Sequence, residues 1–120
     1  MDLKRKDRLS PMTSGSVHIQ GYLGEKLEVC IQNGVMAADD QRFILPFRDR
    51  TDDEGGWGGE FWGKWFTSAA LAYAYQPTQA HHRILDRAVE GLLRTQDPDG
   101  RLSSCKNDFG AWDIWGRKYA

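Results

Sequence analysis

Trp57 stands three residues before Glu60, and Trp112 directly precedes Asp113, with Trp115 and Lys118 following at steps of three. Indole faces stack on the C–H surfaces of sugar rings, and carboxylates accept hydrogen bonds from sugar hydroxyls. Trp57, Glu60, Trp112, Asp113, Trp115 and Lys118 are therefore the candidate substrate-binding residues, and a carbohydrate is the candidate ligand. Each also has a packing role open to it. Trp57 can cover the end of a helical assembly, and Glu60 can stabilise a helix N-terminus. Asp113 can pair with Arg117 one turn on.

Other chemistries find less support. A paired-carboxylate hydrolase needs an acid and a base or nucleophile across one pocket. Glu60 and Asp113 would have to fill those roles without the walls that exclude water, so no catalytic residue is assigned. His81-His82 opens a helix, where adjacent imidazoles diverge, and reads as solvated surface; His18 has no evident partner. In Glu28-Val29-Cys30 the two candidate ligands lie about 200° apart around a helix and cannot meet at one ion. Cys30 is read as a buried helix-face residue, and no metal site is assigned. The glycines from Gly55 to Gly59 follow no strand and do not form a nucleotide loop.

The elements that must carry these residues follow from hydrophobic spacing. Residues 1–14 read as a disordered basic tail. Residues 15–54 read as an irregular arm with one helix. Val17 and Ile19 alternate with polar residues as in a short strand, and Leu23, Leu27, Cys30 and Ile31 fall at helical spacing up to Asn33-Gly34. Phe43 to Phe47, broken by Pro46, reads as a buried loop, and Asp49 to Glu54 as a charged, solvated turn. Residues 55–120 hold a helix from about Glu60 to Tyr75, with Trp62, Trp65 and Phe66 as core and Glu60 and Lys64 paired. A second helix runs from about Gln79 to Thr95. The short connection makes the two an αα-hairpin. Asp97-Pro98-Asp99-Gly100 is a turn, and Trp112 to Ala120 opens another helix. That helix stops on its aromatic face without a cap, which reads as an interruption.

Composition bounds the classes. The 120 residues suffice for one domain. Sixteen Lys and Arg against 17 Asp and Glu give a net charge of −1, which argues against a nucleic-acid partner. No apolar run is long enough for a membrane span, and no apolar region follows the basic N-terminus. With only two cysteines, the thiols read as reduced and the chain as cytoplasmic. Seven aromatic residues crowd positions 57 to 75, so exposed aromatic faces, and self-association through them, are expected.

Three stretches carry a family resemblance: Trp57-Gly58-Gly59-Glu60-Phe61-Trp62-Gly63-Lys64-Trp65, Gln96-Asp97-Pro98-Asp99-Gly100, and Trp112-Asp113-Ile114-Trp115-Gly116-Arg117-Lys118-Tyr119. Together with Leu23-Gly24-Glu25-Lys26-Leu27-Glu28-Val29-Cys30 upstream, and in this order from about Val17 onward, they resemble the N-terminal end of the β-L-arabinofuranosidase-like glycoside hydrolases, family 127 and its relatives. The resemblance implies a mainly α fold, part of an (α/α)6 toroid of the six-hairpin type. It also implies hydrolysis of non-reducing-end β-L-arabinofuranosides. Characterised relatives use a zinc-bound cysteine nucleophile and a glutamate acid/base in motifs further downstream, so catalysis and zinc are expected outside this chain. Six hairpins need about twice its length, and it reads as an N-terminal fragment. Two other readings remain open: a non-catalytic helical module that binds carbohydrate or a partner, and a terpenoid- or prenyl-handling toroid.

Overall fold

The computed structural model describes residues 9–53, 55–107 and 109–120. The protein is mainly helical, and no strand occurs among the described residues. Residues 1–8 of the expected tail lie outside them. The segment expected as a strand is irregular instead, and is pinned to the end of a helix. The Ser14 hydroxyl and the Gly15 N–H both donate to the Ala74 carbonyl at 2.8 Å, and the Ile19 N–H donates to the Tyr75 hydroxyl at 2.9 Å. With no second extended segment beside it, a lone alternating stretch has no ladder to join.

Helix α1 (Gly21–Cys30) buries no residue of its own. It runs on through Asn33-Gly34 as a π-helical segment, Ile31–Met36, whose Ile31 and Val35 are the first residues to enter the core. Those two side chains pack with Trp65, Ala69, Ala72, Ile84 and Ala88, which keeps the chain helical past the expected stop. Cys30, expected to be buried, is exposed because it sits on the helix that buries nothing.

The stretch from Phe43 to Phe47 is not a loop. It lies within helix α2 (Asp40–Asp49), with Pro46 inside it. Proline removes one backbone hydrogen bond, but three features outweigh that loss. The Asp39 carboxylate accepts from the Gln41 N–H at 3.1 Å as an N-cap. Asp40 is buried and pairs with Arg87 at 2.5 Å. Ile44 and Phe47 face a second core cluster with Trp62 and Leu92. Arg50 then ends the helix at φ 53°. Its guanidinium donates to the carbonyls of Ser103 and Thr95 and to Asp97, at 2.6, 3.2 and 2.9 Å.

Helices α3 (Gly58–Tyr75) and α4 (Gln79–Leu93) form the expected αα-hairpin. His81 near the start of α4 meets Tyr73 near the end of α3, while Leu92 joins Trp62 at the opposite end, so the pair runs antiparallel. Trp62 and Trp65 are buried as expected. Thr78 caps α4 by accepting from the His81 N–H at 3.2 Å. The Asp97–Gly100 turn closes through the Gly100 N–H on the Asp97 carbonyl at 2.9 Å. Helix α5 (Ala111–Arg117) packs against the first turns of α3.

Candidate functional site

Two helix starts, far apart in sequence, meet at one end of the hairpin. Helix α3 begins after Trp57 and α5 after Gly110. Trp57 and Trp112 meet edge to face, ring centroids 4.8 Å apart. The Trp115 indole N–H donates to a Glu60 carboxylate oxygen at 2.6 Å. All six sequence-derived candidates therefore belong to one junction, in three different settings.

Glu60 is buried, with one oxygen on Lys64 in the expected i, i+4 pair and the other on Trp115. The Lys64 ammonium, and then the Trp115 donor, hold its carboxyl below the ordinary glutamate range. A carboxylate kept ionised in this way can accept hydrogen bonds but is a poor proton donor, so Glu60 does not suit the general-acid role. Asp113 is still more enclosed, at 1% exposure. It accepts from the Ser103 hydroxyl, from Arg117 at 2.7 and 2.9 Å and from the Phe109 N–H at 2.9 Å, and lies 3.6 Å from Arg101. Burial pushes its pKa up, but the hydrogen bonds from Arg117, Ser103 and Phe109 outweigh burial and hold it at about 2. The expected pairing of Asp113 with Arg117 is present, and its carboxylate is engaged inside the protein.

The aromatic rings remain partly open. Trp57 is 48% and Trp115 41% exposed. The Lys118 ammonium stands 4.5 Å over the Trp115 ring and 5.1 Å over Tyr119, both cation–π contacts. Trp57 carries the largest open indole surface of the five. Beside Trp112 and Asp113 lies a depression of about 170 Å³, also lined by Asp53, Asn107 and Cys105. Burial, and then the carboxylates of Asp53, Asp52 and Asp113, push the Cys105 thiol up, so it stays protonated.

Sequence reasoning missed the residues that build the junction. The run from Asp49 to Glu54 is not simply a solvated turn. Asp52 is buried and its carboxylate caps α3 by accepting from the Gly59 N–H at 3.0 Å. Asp53 accepts from the N–H groups of Lys106 and Asn107, each at 2.8 Å, which draws its carboxyl below the ordinary range. A cap seven residues upstream has no short-range signature. Ser103 and Ser104 are buried in a stretch whose composition reads as loop. His81 is also corrected: it is 1% exposed, not solvated. A signal for it existed, because His81, Ile84, Ala88 and Leu92 continue one buried stripe.

A larger cavity lies elsewhere. An open groove of about 680 Å³ runs between α1, the π segment and α3, lined mainly by Leu27, Ile31, Val35, Trp65, Leu71 and Tyr75. No group of three or more His, Cys, Asp or Glu able to hold a metal ion occurs among the described residues. Glu28 accepts from Gln32 at 2.8 Å, an ordinary helix-surface contact. No helix among the described residues is long and apolar enough to cross a membrane. No protein-family model, curated protein or solved structure matches the chain.

Proposed function

We propose that the chain is the N-terminal part of a glycoside hydrolase of the β-L-arabinofuranosidase type. In this reading the α3–α4 hairpin and α5 open an (α/α)6 toroid, and the junction of the α3 and α5 starts forms one wall of its sugar site. The observation that carries it is the meeting of Trp57 with Trp112 and of Glu60 with Trp115. Two segments singled out by the family resemblance come together there around open indole surface. Trp57 and Trp112 supply stacking faces, Glu60 and Lys118 orient Trp115, and Asp113 anchors α5. The nucleophile, the acid/base and zinc with its ligands belong to segments outside this chain.

The binding half of the proposal is tested by following indole N–H signals by NMR while adding methyl β-L-arabinofuranoside, with a xyloside as control. Shifts at Trp57 and Trp112, absent at buried Trp62 and Trp65 and lost in Trp57→Ala, support it. Equal responses to both sugars, or none, sink it. The catalytic half is tested on the transcript. A reading frame that continues with a Glu-x-Cys and a later Cys-Cys supports a glycosidase, and a stop codon directly after Ala120 removes it.

A second reading, a non-catalytic module that binds a partner or itself, is favoured by the apolar groove beside α3 and by exposed Phe61 and Leu71 next to it. Sedimentation distinguishes the two. Monomers that bind the furanoside support the first reading, and concentration-dependent association without sugar binding supports the second.

A further inference from the structure

His81 is the most enclosed titratable group outside the junction. It lies at the third position of α4, is 1% exposed, and stands edge-on to Tyr73 with ring centroids 5.6 Å apart. Its Nε2 has no hydrogen-bond partner among the described residues. A neutral imidazole tolerates such a site, whereas an imidazolium would bury a charged N–H without an acceptor. The position adds a second penalty, because the first turn of a helix is its positive end.

The Ala69 backbone offsets this only in part. From α3 the ring meets Tyr73 and the Ala69 backbone. From its own helix the neighbours Arg83 and Asp86 are exposed, and His82 turns outward to pair with Asp86 at 2.8 Å. From the N-terminal segment, His18 stands against Tyr75. The two ends of the hairpin are thus held by different chemistry. Ionised Glu60 and Asp113, with the Asp52 cap on α3, hold the junction end, and an uncharged imidazole packs at the other.

We infer that His81 is an acid-sensitive latch: on taking up a proton it releases the first turn of α4 from α3, while the end that carries Glu60 stays closed. This inference does not depend on the glycosidase reading.

The sign follows from which state binds the proton more easily. Burial lowers the folded affinity of His81 below the ordinary value of 6.5, against a smaller opposing contribution from the Ala69 backbone. Closure is therefore fully favoured above pH 6.5 and weakens as pH falls below it, by up to about tenfold in the opening constant per pH unit.

The test is amide hydrogen exchange on the intact chain from pH 7.5 to 5, corrected for intrinsic rates, together with NMR titration of the three imidazoles. The expected result is selective loss of protection from Ala80 to Ile84, unchanged protection from Glu60 to Lys64, and no titration of His81 near 6.5. His81→Gln, if it folds, should remove the pH dependence, and His82→Asn should retain it. His81 titrating at about 6.5, or uniform loss of protection along α3 and α4, overturns the inference without requiring any variant.

Discussion

Asp113 illustrates how one buried carboxylate can decide the behaviour of a junction. Its folded pKa of about 2 lies below the ordinary value of 3.8, so its contribution is complete above that value and is lost as pH falls toward 2. The shift corresponds to about 2 kcal/mol. Asp113→Asn should flatten the pH dependence of unfolding between about 4 and 2. At neutral pH it should cost about 3 kcal/mol, because buried Ser103 and half-buried Arg117 lose the carboxylate charge and one of its two acceptor oxygens; urea titrations at several pH values measure both effects. Phe109 belongs to the same device. It holds φ at 62°, a left-handed conformation unfavourable for its side chain, while its N–H donates to Asp113. Little of this was legible. The i, i+4 spacing exposed the pairing with Arg117, but nothing in the chain connected Ser103 or Phe109 to it, because loop donors obey no period.

At the level of elements, the glycines around Trp57 do more than bend a loop. Gly59 and Gly63 lie within α3, and a Cβ on Gly59 would come within 3.0 Å of the Gly116 Cα and the Ser104 hydroxyl. A Cβ on Gly63 would collide with the backbone of Tyr119. Helices α3 and α5 therefore approach through bare backbone, which brings Trp115 within reach of Glu60. Gly63→Ala should destabilise the chain by about 1–3 kcal/mol. It should also break the bond from Trp115 to Glu60, seen as an upfield move of the Trp115 indole N–H signal. Lys64→Met should raise the Glu60 pKa toward its ordinary value, read by carboxyl carbon NMR. The hairpin itself was legible because Ile84, Ala88 and Leu92 recur at helical spacing. Helix α2 was not, since Pro46 masks a segment whose cap and buried partners make it helical.

The molecule as a whole is broad and thin. Its radius of gyration is 17.2 Å, against about 13.6 Å for a compact chain of this length, and its extents are 49, 47 and 24 Å. Two small core clusters share partly buried Phe43 and Phe66, and the groove beside α3 is open. Large apolar side chains remain in water, among them Leu71 at 68% and Phe61 at 57% exposure. The chain should bind a dye specific for apolar surface, and Leu71→Lys should reduce both dye uptake and any concentration-dependent sedimentation with little change in stability. A sharply melting monomer that ignores the dye would contradict this. The aromatic content of residues 57–75 announced such faces. Their location beside α1 was not legible, because α1 has the spacing of a core helix and yet buries nothing.

The edge-to-face meeting of Trp57 with Trp112 also has an optical consequence. Two indoles 4.8 Å apart and inclined by 61° have coupled electronic transitions, and the coupling carries a handedness. Circular dichroism should therefore show an exciton doublet that neither ring produces alone. Trp57→Phe and Trp112→Phe should each abolish the whole doublet, not half of it. The same doublet would report the joining of α3 to α5 during refolding, with no label added.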